Sequence, residues 1–314
     1  MGKTGSFRLL LAGSFLMGLL FSGLVRAEYQ PFVEAAPFAG DVDAAVAAAR
    51  EKLGNEGFDV VGEYAPTEGV YVLVVSSEAL RKTASRSKRG GYGAVVSVAF
   101  EQTDAQTRIS YQNPQYVAHG YRLEGSHEAA FQGLAGALGA KGYFGAEPIS
   151  KANLRTYQYA FGLETFADSV DLGSFSSFSA ADRQITERVK SGELGTELVY
   201  RVEIPGKNQI VYGVAMQTDD PNAHGAALVQ AVNNEAPRGY AFLPYPVLLD
   251  GNVAETLNLR FRMALFFPDL PMMGGDASFF KLRSAPDAIN DLLIAVVDGK
   301  IEKEERSGGG FGTF

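Results

Sequence analysis

Two hydrophobic periods alternate along this chain, and the points where they switch divide it into elements. Residues 41–53 (DVDAAVAAAREKL) have the alanine density of a helix, with Asp41 as its cap and Gly54 and Gly57 as its stop. Residues 58–64 and 70–76 are β-rich runs on either side of Pro66-Thr67-Glu68-Gly69, which predicts a hairpin. Ser77 caps a second predicted helix over 77–89, closed by Gly90-Gly91. Strands over 94–102 and 107–112 follow. An amphipathic helix over 126–138 then sets Ala130, Phe131, Leu134 and Leu138 on one face.

The second half runs through the same order. A helix is predicted over 179–191, and strands over 197–204 and 209–217 flank Pro205-Gly206-Lys207-Asn208. A helix over 223–235 stops before Pro237, and strands over 245–249 and 253–267 flank the turn dipeptide Asp250-Gly251. The last helix, 285–297, has Pro286 in its first turn. Each half therefore reads α-β-β-α-β-β-α. RISYQNPQYVAHG (108–120) and RMALFFPDLPMMG (262–274) share Arg, Pro and Gly at matching places, and Val70-Tyr71 and Val211-Tyr212 begin corresponding strands.

These patterns predict an α+β fold of two tandem units, each an antiparallel sheet with helices on one face, packed together as a pseudo-dimer. The units are expected over 28–142 and 179–298. The connector, 143–178, is rich in Tyr and Phe, which is not the composition of a flexible linker. Residues 299–314 turn charged and then glycine-rich, and a flexible tail is expected there.

Composition adds a compartment. Lys3 and Arg8 precede an apolar run from Leu9 to Val25, and Val25-Arg26-Ala27 offers small residues to a signal peptidase. Residues 1–27 are thus expected to be a signal peptide, and the mature chain periplasmic or secreted with no stable membrane insertion. The chain has no cysteine, which excludes disulfides, thiolate catalysis and iron–sulfur clusters. Its formal net charge is −8, and loss of a leader holding Lys3, Arg8 and Arg26 makes it more acidic. Such a field repels polyanions, so nucleic acid is not expected as a partner.

The paired hairpins with intervening helices, the strand end RISYQNP and the exported chain resemble the bacterial domain-of-unknown-function 302 family. The resemblance covers 41–142 and, more loosely, 179–298. It implies a compact α+β unit with helices on one face of an antiparallel sheet, associating as dimers. A tandem copy would then be such a dimer made covalent. The family's Cys-Asn-Pro has no match here, and Asn113-Pro114 stands at a strand end instead. Any activity carried by that cysteine in relatives does not transfer.

No catalytic signature occurs in the chain. Gly90-Gly91-Tyr92-Gly93 follows a helix and precedes a strand, the wrong order for a phosphate loop, and reads as a helix stop. His119, His127 and Glu128 form a candidate metal or haem set, with polar surface turns as the plain alternative. Asp219, Asp220 and His224 form a second carboxylate–imidazole group of the same kind. Arg81, Lys82, Arg86, Lys88 and Arg89 make a basic stretch, either a solvated face or a contact for an anionic partner or for the acidic second half.

Arg108 and Arg262 stand at one place of the two matched stretches. Alternation with Leu259, Phe261 and Met263 predicts Arg260 and Arg262 on one sheet face, open to an anion or simply facing solvent. With these arginines, Tyr111, Asn113, Tyr116, His119 and Tyr121 complete the candidate ligand-binding residues. The apolar ends FFPDLPMM and QYVAHGY are candidates for lining a pocket. The expected function is a non-enzymatic binding or interaction protein of the periplasm, with a groove between the units for a small molecule or a periplasmic protein. The cofactor is left unassigned. A metal- or haem-dependent enzyme or carrier using His119 and His127, and a structural assembly component, are the alternatives.

Overall fold

The chain enters its first sheet before its first helix, a step that the hydrophobic pattern does not reveal. A computed structural model describes residues 1–2, 28–232, 236–274 and 277–298. Nearly all of the expected leader, and the expected tail, lie outside the described residues. β1 (Glu28–Tyr29) and β2 (Phe32–Glu34) lead into α1 (Val42–Asn55), capped by the Asp41 carboxylate, which accepts from the Ala44 N–H at 2.8 Å. The hairpin β3 (Phe58–Thr67) and β4 (Val70–Ser77) follows, then α2 (Glu78–Arg86) and a single 3-10 turn η1 (Gly90–Gly93). A second hairpin, β5 (Val96–Gln102) and β6 (Thr107–Gln112), runs into α3 (Pro114–Gly120) and α4 (Glu128–Leu138). The connector holds β7 (Gly142–Phe144), β8 (Ile149–Ser150) and α5 (Lys151–Arg155).

The second half has the same order: β9 (Ser169–Ser174), α6 (Phe178–Ser191), β10 (Thr196–Glu203), β11 (Gln209–Met216), α7 (Gly225–Val232), η2 (Tyr240–Phe242), β12 (Tyr245–Asp250), β13 (Val253–Leu257), α8 (Leu259–Phe266) and α9 (Ser284–Val297). The first sheet is ordered β3-β4-β5-β6-β2-β7 and the second β10-β11-β12-β13-β9, with every pair antiparallel. In both, the strand preceding the first helix returns to pair with the last strand of the second hairpin. The fold is α+β.

One predicted strand is largely a helix. Residues 253–267 are extended only to Leu257, and 259–266 form α8. The counterpart in the first half is α3, also absent from the predicted order. An asparagine starts each: Asn113 accepts from the Gln115 N–H at 3.1 Å and Asn258 from the Arg260 N–H at 2.9 Å. Superposing these caps brings the cross-strand row Glu63–Leu73–Val98–Tyr111–Val33 onto Arg201–Tyr212–Val247–Thr256–Val170. Arg108 and Arg262 are therefore not equivalent, which corrects the gap-free match. Arg108 lies in β6 opposite Glu101, and Arg262 lies inside α8. In α8 every residue but Arg260 is buried, so no polar stripe marks the helical period.

Helices cover one face of each sheet. Leu73, Val98, Phe100 and Tyr111 pack with Ala45, Leu53, Ala130 and Leu134 from α1 and α4 in a core confined to the first half. The opposite faces share a second, larger core that runs through both halves. It takes Tyr64, Val72, Val74 and Ala99 from the first sheet and Val202, Val211 and Leu248 from the second.

Each half reaches across this junction with an Arg-Gly segment. η1 lies against β11 and β12, and η2 against β5 and β6. Arg89, before η1, meets Glu255 at 2.5 Å, while Arg238, before η2, meets Glu101 at 2.5 Å. Gly90-Gly91 is thus more than a helix stop. The Gly91 N–H donates to Gln209 Oε1 at 3.0 Å, and a Cβ on Gly91 would stand 2.5 Å from the Leu248 methyl.

The two backbones come close at Gly62 in β3, where a Cβ would sit 2.0 Å from the Val199 carbonyl oxygen of β10. Gly62→Ala is expected to destabilise the protein by about 3 kcal/mol in urea unfolding, because backbone cannot yield as a flexible side chain does. Gly54→Ala, a helical site with nothing within 4 Å, is expected to stabilise it by up to about 1 kcal/mol.

Candidate functional site

The loop between α8 and α9 is long and divided in its burial: Phe267 and Leu270 join the core, while Met272, Met273 and Phe280 are exposed. Two backbone bonds fasten it: the Phe279 N–H donates to the Pro271 carbonyl at 3.0 Å and the Phe280 N–H to that of Met272 at 3.1 Å. The connector braces it from the side. Tyr157 and Tyr159 donate their hydroxyls to the Ala264 and Leu270 carbonyls, each at 2.7 Å, and the Tyr159 ring packs on Phe279 with centroids 4.6 Å apart.

Between the loop, the connector and α8 lies a groove of about 250 Å³, walled by Tyr159, Leu163, Ala264, Met272, Phe279 and Pro286. Met273 and Phe280, at 73 % and 57 % exposed, stand at its edge. Apolar side chains of this size seldom face water together on a soluble protein without a ligand or partner.

Charge is confined to the rim. Arg260 is held between Glu164 at 3.2 Å and Asp287 at 2.8 Å. Arg283 lies over the Phe280 ring at 4.4 Å and donates to the Phe280 carbonyl at 3.0 Å. Among the described residues Arg283 has no carboxylate in an ion pair, so its charge is open to a ligand.

The predicted binding residues scatter. Arg260 reaches this groove, and of the apolar end FFPDLPMM only Met272 and Met273 line it, since Phe266 and Phe267 are core. Tyr111 is buried, with its hydroxyl on the Gly139 carbonyl at 3.1 Å. Asn113 caps α3 and donates to the Gln30 carbonyl at 3.0 Å, and Tyr116 donates to the Leu265 carbonyl from inside the core. Tyr121 is buried in a stack with Phe166, centroids 5.7 Å apart, and Arg108 is half-buried on β6. Arg260 and Arg262 do not share a sheet face, because two residues along α8 turns the side chain to the other side. Arg262 is buried beneath the second sheet. Tyr159, Leu163, Glu164, Phe279, Phe280 and Arg283 were not foreseen. For Phe279 and Phe280 the signal is the adjacent aromatic pair in a stretch with no helical or strand period; Tyr159, Leu163, Glu164 and Arg283 carry no local signal.

The expected histidine sites also differ from their surface-turn alternative. His119 lies within α3 and His127 just before α4, and both are buried with neither ring nitrogen hydrogen-bonded. Glu128 is exposed and accepts from Gln115 and Gln132 instead. Among the described residues no three His, Asp or Glu side chains come together to hold a metal. His224 accepts from the Ala227 N–H at 3.3 Å, and Asp220 from that of Asn222 at 2.9 Å, so this stretch shapes its own turn.

The basic stretch is partly consumed internally, Arg81 by Asp59 at 3.2 Å and Arg89 by Glu255 of the second half. A second, polar cleft of about 340 Å³ runs between the halves. Lys88, Arg89, Ser169, Asp250 and Glu255 line it, with charges of both signs. Among the described residues no helix is long and apolar enough to cross a membrane. No protein-family profile, curated protein or solved structure matches the chain.

Burial lowers both histidine pKa values to about 4. Lys151 and Arg155 add to the effect at His119, and His119 and Arg86 add to it at His127, where a contact with the Gly93 backbone opposes it. The folded protein therefore keeps them neutral while the unfolded chain takes up protons below pH about 6.5. Stability is expected to fall as pH drops from about 6.5 toward 4, by roughly 2–3 kcal/mol per histidine. His119→Leu should flatten that slope in urea unfolding while leaving stability at pH 8 nearly unchanged.

Proposed function

We propose that the protein is an exported, non-enzymatic binding protein that takes an apolar ligand with an anionic head in the groove beside α8. The observation that carries this reading is the difference between two corresponding loops. In the first half Tyr121–His127 links α3 to α4 by a short turn, and in the second 267–283 links α8 to α9. The long loop supplies Met272, Met273, Phe279, Phe280 and Arg283, and with them one whole side of the groove's lining. Loops carried on a rigid scaffold are where binding residues concentrate.

The repeated element order and sheet order support the further reading that the halves are tandem copies that diverged at this loop. Ala264, on the groove wall, falls at the place of His119 when Asn258 is set on Asn113. Export rests on the basic-then-apolar character of residues 1–27.

An alkyl chain in the groove gains about 0.8 kcal/mol per buried methylene. Burying about eight contributes about 6 kcal/mol, so an affinity in the millimolar range is expected once association costs are subtracted. Decanoate is accordingly expected to bind saturably in isothermal titration calorimetry, and 1-decanol more weakly. Met273→Asp and Phe280→Asp, at exposed sites, should each weaken decanoate binding about tenfold without lowering the melting temperature. Arg283→Gln should remove the preference for decanoate over decanol. Absence of saturable binding for both compounds would end this reading.

A further inference from the structure

The polar cleft between the halves is lined by ions of two kinds. Arg89 and Glu255 hold each other at 2.5 Å, and both are bonded further. Arg89 Nη1 donates to the Phe166 carbonyl, while Glu255 accepts from the Tyr92 hydroxyl at 3.2 Å and the Ser169 hydroxyl at 2.9 Å. Lys88 and Asp250 are exposed on the same walls. Among the described residues their side chains take part in no ion pair and no hydrogen bond.

The second sheet fixes the acidic wall. Across β12 and β13, Leu248 stands opposite Glu255 and Asp250 opposite Val253. Alternation therefore puts all four side chains on one face. That face is turned to the first half, since the Leu248 methyl is what a Cβ on Gly91 would meet. Asp250 and Glu255 are diagonal neighbours on it, about 7–8 Å apart along the backbone pairing. One ammonium can lie between two carboxylates so placed.

The basic wall comes from the first half. The Lys88 carbonyl accepts from Gln209 Nε2 at 3.0 Å, and Gln209 is the β11 partner of Asp250. The Ser87 carbonyl accepts from Lys207 Nζ. Lys88 is thus anchored across the junction by its backbone, and its ammonium is left for the cleft.

Two cations and two carboxylates line this space, so the lining is neutral but its charges are held apart. A simple anion gains at Lys88 and loses beside Asp250 and Glu255, and a simple cation meets the converse. A molecule with a carboxylate at one end and an ammonium at the other gains a charge-assisted hydrogen bond at each. The volume of about 340 Å³ is at the small end of ligand sites, which favours a small molecule.

We propose that this cleft is a binding site for a small zwitterion of the free amino acid or dipeptide class. Lys88 takes its carboxylate, and Asp250 with Glu255 Oε2 takes its ammonium, so the ligand bridges the two halves. The site shares no residue with the apolar groove beside α8.

Isothermal titration calorimetry of the full chain at low ionic strength with L-alanine, alanylalanine, propionate and propylamine tests it. At least one of the two zwitterions is expected to bind saturably, and the preferred one reports the span between the charges. Propionate and propylamine, each with one charge only, should bind at least about tenfold more weakly. Lys88→Met and Asp250→Asn lie at exposed sites. Each should weaken zwitterion binding about tenfold and leave the melting temperature unchanged. Decanoate binding should be the same in both variants, which keeps this test apart from that of the groove. No saturable binding of either zwitterion, propionate binding as tightly, or unchanged affinity in either variant would overturn the proposal.

Discussion

Two sheets with helices on only one face each leave two apolar faces that cannot stay in water. Val72, Val74 and Ala99 on one, and Val202, Val211 and Leu248 on the other, are buried together in one core that runs through both halves. At roughly 25 cal/mol per Å² of apolar surface, burying such faces contributes more than any single polar contact here. The rest follows from how that burial is achieved. β3 and β10 approach until Gly62 touches the Val199 carbonyl. Each half then lays an Arg-Gly turn on the sheet opposite. The Arg89–Glu255 and Arg238–Glu101 pairs fix the orientation of that contact more than its strength, since their charges are largely withdrawn from solvent on both sides.

This junction also gives α8 two environments. Toward the interior, it presents Arg262 to buried tyrosines drawn from both halves. Toward the surface, it presents Arg260 and Ala264 to a groove made by the loop that follows it. The same short helix therefore connects the core charge to the rim of the groove. Its counterpart α3 carries His119 and Gln115 at the places of Ala264 and Arg260. There Gln115 meets Glu128 much as Arg260 meets Asp287. A polar contact of this kind is present in both halves, and the groove lies beside α8.

Much of the secondary structure was legible because local physics dictated it. Asp41, Ser77 and Ser177 cap the helices that follow them, and the hairpins turn where Gly and Pro punctuate the sequence. The miss at 259–266 has a specific cause. Arg260 and Arg262 alternate with apolar neighbours, which imitates a strand, while the helix is buried nearly all round and shows no stripe. The cap signal was present at Asn258 and at Asn113-Pro114, and it outweighs periodicity in so short an element. The lead-in strands β2 and β9 were missed for another reason, since their partners lie far along the chain.

The sequence by itself determined the α+β alternation, the repeated order, the absence of thiol chemistry and the apolar character of 270–273, because each depends on neighbours within a few turns of chain. Only the tertiary structure decided what the polar residues do. It placed Tyr111, Asn113 and Tyr116 in internal hydrogen bonds, buried His119, His127 and Arg262, and sent Arg89 across the junction. Burial and pairing depend on partners well outside the local sequence, 28 positions away for Tyr111 and 166 for Arg89, and no local pattern encodes them.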